Sequence, residues 1–163
     1  MKKISKLSII IIFAFLLSVS CKKEGIGIGP VESVELGEAI DDAKVEKGAA
    51  TFKLKCTPCH KITVKHVGPV LKDVTTRRKP EWIMNMILNP EEMIAKDPTA
   101  KKLLLENNMM KMVRTGISQD EARDILELFR KVDEGKELPD YIKKLDETPK
   151  PPETAEQPAA EKK

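Results

Sequence analysis

Cys56-Thr57-Pro58-Cys59-His60 is the stretch on which the reading of this chain turns. Two thiols separated by two residues and followed at once by a histidine form the attachment pattern for a c-type haem. Each thiol adds across one vinyl group of the porphyrin, and the two intervening residues let one short turn reach both. His60 then lies under the ring, where an imidazole nitrogen can bind iron. Paired cysteines have two other readings, a redox dithiol and half of a zinc site. The first wants a strand-helix context, and the second wants two more Cys or His ligands. No βαβ pattern surrounds the motif, and only His66 and Cys21 remain of those residue types. Haem attachment through Cys56 and Cys59, with His60 on the iron, is therefore the expectation.

Upstream of the motif the pattern is helical. Asp41 and Asp42 place negative charge where a helix would begin, and Val45, Gly48, Ala49 and Phe52 share one face. A glycine inside a helix costs about 1 kcal/mol, so Gly48 predicts close approach of another helix. Gly48-x-x-x-Phe52-x-x-x-Cys56-x-x-Cys59-His60 resembles the N-terminal helix of class I cytochromes c. In that family a small residue and an aromatic on this helix cross the C-terminal helix. Beyond the motif, the Gly-Pro pair in His66-Val67-Gly68-Pro69-Val70-Leu71 stops any helix and sets an extended turn. The segment resembles the family's Gly-Pro-x-Leu, whose proline carbonyl accepts the second N–H of the iron-bound histidine. The resemblance implies that role for Pro69, an acceptor that would fix the ring and tune the metal.

Pro80 opens a short helix over about 81–89, closed by Pro90, with Trp82, Ile83, Met86 and Ile87 on its apolar face. The resemblance implies that Trp82 and Arg78 meet the haem propionates; a plain core tryptophan and solvated arginines are the other reading. Asp97-Pro98 caps a further helix reaching about residue 107. Ser118 and Glu121 form a capping box for the last helix. Ile125, Leu126, Leu128, Phe129 and Val132 make its wide apolar face, and Gly135 ends it. This is the helix expected to pack on Gly48 and Phe52.

The loop before the last helix is where class I cytochromes place a methionine as sixth iron ligand. Many relatives run methionine, four residues, an apolar residue, then Ser/Thr-x-acid-acid. Met112 through Glu121 fits that register, with Val113 where a proline is frequent. Met110 sits two residues too early and is the second candidate; a Met-rich core filler is the remaining reading. Met84 and Met86 fall in a helical pattern and read as core, and Met93 lies between two prolines. His66 is six residues from His60 and on the same side of the ring.

The ends of the chain read differently. Lys2, Lys3 and Lys6 precede an apolar run from Leu7 to Leu17, so residues 1–20 are expected to be a lipoprotein signal peptide. Leu17-Ser18-Val19-Ser20-Cys21 resembles a bacterial lipobox, with Cys21 as the lipidated residue; an uncleaved anchor is the alternative. Residues 21–39, with the run Gly25-Ile26-Gly27-Ile28-Gly29-Pro30, read as a flexible linker. Residues 40–145 form the expected cytochrome c domain, in which a short segment around Leu138 and Tyr141 lies back on the rest. Residues 146–163, rich in Pro, Glu, Lys and Ala, read as a disordered tail.

Aromatic residues make up only 4% of the 163, few for a domain that fills its core with side chains alone. A buried macrocycle would supply part of that volume. The resemblance spans about 41–135 and implies a small all-α class I cytochrome c fold around one covalently bound haem c. It implies an electron-transfer protein, not an enzyme. Such a protein would pass single electrons between membrane respiratory components and a periplasmic or envelope reductase or oxidase. The stretch from Thr115 to Arg130 also resembles short lipid-anchored cytochromes found with nitrous oxide reductases, which makes such a reductase one candidate partner.

Between Lys53 and Lys79 there are eight basic residues against one acid, Asp73. That balance suits redox partner proteins with acidic docking surfaces. Nucleic acid would be the wrong partner for an exported protein. A monomer on the periplasmic side of the envelope, held to the membrane through Cys21, is expected. The rival class is a haem enzyme or a gas or redox sensor with an open iron position. It would need a free distal face with polar groups, where this chain offers methionines.

Overall fold

The computed structural model describes residues 25–147; the expected signal peptide, Cys21 and the chain beyond 147 lie outside them. Seven helices follow one another: α1 (Asp42–Lys55), α2 (Val74–Arg77), α3 (Pro80–Leu88), α4 (Pro90–Lys96), α5 (Pro98–Glu106), α6 (Gln119–Asp133) and α7 (Asp140–Lys143). A 3-10 turn, Lys144–Asp146, follows α7, and the described residues contain no β-strand. The expected all-α fold is what forms. Proline sets the middle of the chain. Pro80, Pro90 and Pro98 each occupy the start of a helix, where the missing N–H costs nothing and the fixed φ favours the first turn. Pro90 therefore does more than close α3: it opens α4, a helix the sequence reading did not assign.

α1 and α6 form the frame. Asp41 caps α1 by accepting from Ala43 N and Lys44 N at 3.1 and 3.2 Å. α6 carries the capping box: Ser118 Oγ accepts from Glu121 N at 3.2 Å, and Glu121 Oε2 accepts from Ser118 N at 2.8 Å. The two helices cross where Phe52 meets Phe129 edge-on, with ring centroids 5.9 Å apart. At the crossing Gly48 lies directly on the α6 backbone. A Cβ there would stand 2.2 Å from Asp124 O and 2.9 Å from Ile125 N. Gly48→Ala should destabilise the holoprotein by about 2 kcal/mol, because overpacking outweighs the gain in helix propensity. A thermal melt should show Tm lower by roughly 10 °C; an unchanged or raised Tm would mean that the crossing relaxes freely.

The expected flexible linker is corrected over residues 25–39, which lie across α3 and α4. Asn85 is fully buried and holds this strap by three hydrogen bonds. It accepts from Val31 N and donates to Ile26 O and Val31 O, each at 2.9 Å. Ile28 N donates to Met93 Sδ at 2.9 Å. The glycines serve closeness here, not looseness: a Cβ on Gly29 would lie 2.4 Å from Asn85 Oδ1. On α6 the buried Glu127 lies between Arg123 and Arg130, with ion pairs of 2.6 and 2.7 Å. Arg130 Nη2 reaches on to Gly37 O at 2.8 Å and ties the strap to the frame.

At the other end, Ile142 and Leu145 are buried while Tyr141 stays exposed. The expectation that a segment near Tyr141 lies back on the domain is met by these two neighbours. The expected tail boundary moves as well, because Asp146 is hydrogen-bonded to Ile62 and Thr63.

Candidate functional site

The motif leaves α1 through two nested turns. Cys56 caps the helix with its N–H on Phe52 O at 2.8 Å. Its own carbonyl then accepts from Cys59 N at 3.0 Å and His60 N at 2.8 Å. This tight winding sets Cys56, Cys59 and His60 on the wall of one cavity. Cys56 is half-buried and Cys59 exposed. Burial, and next the charge of Cys59, push the Cys56 thiol up to about 11. A redox dithiol needs the opposite, a thiol shifted down towards the thiolate. Among the described residues, no group of three or more His, Cys, Asp or Glu is placed to hold a metal ion, so a zinc site also lacks its ligands.

The second loop closes on His60. Gly68 N donates to Cys59 O at 2.8 Å, and Leu71 N and Lys72 N donate to Ile62 O at 3.2 and 2.7 Å. The imidazole rests against Gly68, where a Cβ would come within 2.4 Å of Cε1 and 2.7 Å of Nδ1. Burial holds His60 below the ordinary histidine value, the Pro69 carbonyl pulls it partly back, and the charge of His66 lowers it again. Nδ1 is buried and meets no acceptor in full hydrogen-bonding geometry, although the Pro69 carbonyl is near enough to favour the protonated ring. The net shift is downward, the direction that favours the uncharged ring an iron ligand needs. His66 is exposed and is not part of the cavity wall.

The cavity measures about 450 Å³, within the roughly 300–1,000 Å³ of cofactor sites. Phe52, Ile83, Leu103 and Phe129 make much of its wall apolar. Met110 and Met112 both line it from the loop before α6. They differ in burial: Met112 is half-buried, whereas Met110 is 59% exposed. The loop turns through Asn108 and Met109, both left-handed at φ 55° and 60°, which is unusual for a methionine. It is tied down just past Met112. Arg114 N donates to Glu91 Oε1 at 3.1 Å, and Arg114 Nη2 donates to Asn89 Oδ1 at 2.7 Å. Sequence reasoning missed Arg114, because nothing in its spacing signals Asn89 and Glu91. Met84 and Met93 are buried in the core, with Met93 against the strap.

Comparison with known proteins agrees with this site. A family model described as Cytochrome c matches residues 45–133, from the first apolar turn of α1 to the end of α6. The chain belongs to the cytochrome c family. It is similar to a solved cytochrome c from Rhodothermus marinus, at 44% identity and a TM-score of 0.64, covering 66% of this chain and 92% of that one. An engineered form of the Rhodothermus marinus cytochrome, described as bound to a carbene intermediate, also matches at 44% identity. Its TM-score is 0.60, over 65% of this chain and 91% of that one. No match emerges among curated protein sequences. The cytochrome is thus a monohaem class I domain carrying covalent haem c, in a family typically of non-enzymatic electron carriers.

Of the two readings left open for Trp82 the structure favours the buried core one, and one residue of the basic rim is corrected. The Trp82 N–H donates to Asp97 Oδ1 at 3.2 Å, so it is engaged within the protein and not offered to a propionate. Arg78 stacks on the Trp82 ring, 5.3 Å from its centroid. Lys61, counted with the basic rim, is only 2% exposed and turned inward to the carbonyls of Leu145 and Glu147.

Proposed function

We propose that this cytochrome passes single electrons between membrane respiratory components and a periplasmic or envelope reductase or oxidase. In this reading Cys56 and Cys59 hold the porphyrin by thioether bonds, and His60 and Met112 are the two iron ligands. The observation that carries it is the convergence of both thiols, the His60 imidazole and a half-buried Met112 on one apolar cavity of about 450 Å³. The haem supplies a one-electron ferric–ferrous couple. The protein's own groups do the rest. Gly68 and Pro69 set the His60 ring, and the loop anchored by Arg114 presents Met112. Phe52, Leu103 and Phe129 would give the bound group an apolar surround, which tunes its potential.

Lys53, Lys55, Lys65, Lys72 and Arg77 remain exposed, a basic surface suited to steering an acidic redox partner. A nitrous oxide reductase is one candidate. The leader and Cys21 fit a monomeric lipoprotein held on the periplasmic side of the membrane. Potentiometric titration of the holoprotein should fit a single one-electron step. Reoxidation of the reduced form by its partner should slow several-fold as salt rises from low ionic strength towards about 0.15 M, where the Debye length is about 8 Å. A rate indifferent to salt would remove the acidic docking surface from the proposal.

A further inference from the structure

Taking His60 as the iron ligand, on which this inference rests, we propose that Asp146 is a positioning residue for it. Asp146 lies beyond the family match, which ends at residue 133. Its carboxylate accepts from Ile62 N through Oδ1, and through Oδ2 from Thr63 Oγ1 and from Thr63 N at 3.0 Å. Lys61, next to His60, donates its Nζ to Glu147 O at 2.9 Å and Leu145 O at 3.4 Å. That ammonium sits on the carboxyl end of the 3-10 turn, where the backbone is partly negative. Residues 61, 62 and 63, the first three after His60, are therefore all bound to the C-terminal segment. Ile142 and Leu145 in turn pin that segment into the core.

Ile62 joins the two sides. Its N–H is held by Asp146, and its carbonyl accepts from Leu71 N and Lys72 N, in the stretch that follows Gly68 and Pro69. Gly68 has no room to spare against the His60 ring. A shift of Ile62 is therefore passed to the ring from both ends of the turn. Bonds to a charged carboxylate are among the stronger hydrogen bonds, which makes Asp146 the firmest tie on this loop. Its effect on the iron is indirect: it holds the turn that seats Gly68 against the imidazole, and the seating of that ring sets how strongly it donates to the metal.

The test uses the full-length holoprotein in its diamagnetic ferrous state. NMR reads solvent exchange of the His60 ring N–H, and potentiometry reads the midpoint. Asp146→Ala should speed that exchange about tenfold and raise the midpoint, since a less firmly held ring donates less density to the iron. Asp140→Ala, in the same segment and paired with Lys143, should change neither. Should Asp146→Ala fail to fold, Asp146→Asn, which keeps one accepting oxygen, is read by the same criteria. Unchanged exchange and midpoint overturn the proposal. So does an equal effect from Asp140→Ala, or equal acceleration of the α1 and α6 amides, because each would mean a general loosening. A wild type whose His60 ring protons lack the strong upfield shift that the porphyrin ring current gives an axial ligand would instead overturn the ligand assignment beneath it.

Discussion

Replacing Cys56 and Cys59 together by serine should remove the haem-stained band from a denaturing gel entirely. Such a band survives denaturation only when the porphyrin is covalently bound. A serine hydroxyl does not add to a vinyl group as a thiol does, so no thioether can form. Each single variant keeps one thiol and should keep a weakened band. The structural consequence is as large as the chemical one. Without the porphyrin, the apolar walls of a cavity of about 450 Å³ lose the group that would cover them, in a domain whose whole stability is roughly 5–15 kcal/mol. The double variant should therefore lose cooperative thermal unfolding along with its haem. A band of undiminished strength would show that the haem is attached elsewhere and would undo the reading of the motif.

What the sequence made legible is what depends on neighbours along the chain. The face of α1 through Val45, Gly48, Ala49 and Phe52, the acidic start of that helix and the Ser118–Glu121 box all follow from local spacing, and each appears as read. What stayed hidden depends on groups distant in sequence. The Gly25 to Pro30 run has the composition of a linker, yet its glycines are small so that the backbone can lie on Asn85 and Met93. No local pattern says that a buried asparagine some fifty-four residues away will take up Val31. For Trp82 a propionate contact and a core role both stayed open, since in sequence its partner Asp97 reads only as the cap of α5. Lys61 looked like one more surface lysine because its acceptors are carbonyls at the other end of the chain. In the candidate site, the motif and the Gly-Pro turn could be read from residue types. The anchoring of the methionine loop could not, since Arg114 meets α4, a helix the sequence reading did not contain.

Met112→Ala should convert the proposed carrier into an open-site haem protein. Met112 has the register of the family's methionine, is half-buried and lines the cavity, and the next turn of its loop is pinned through Arg114. Met110 also borders the cavity but is 59% exposed. A thioether is a soft, weak ligand that favours ferrous iron. Its removal should lower the midpoint by on the order of 100 mV, a modest part of the ~0.8 V that axial ligands span. The ferric absorption band that marks methionine ligation should vanish, and carbon monoxide or cyanide should bind readily. Met110→Ala should leave the spectrum and the midpoint nearly as they were. If Met110→Ala alone removes the band, the assignment moves by two residues and electron transfer stands. If neither change matters and the wild type already binds carbon monoxide, the iron is open from the start, and a haem enzyme or sensor becomes the better account.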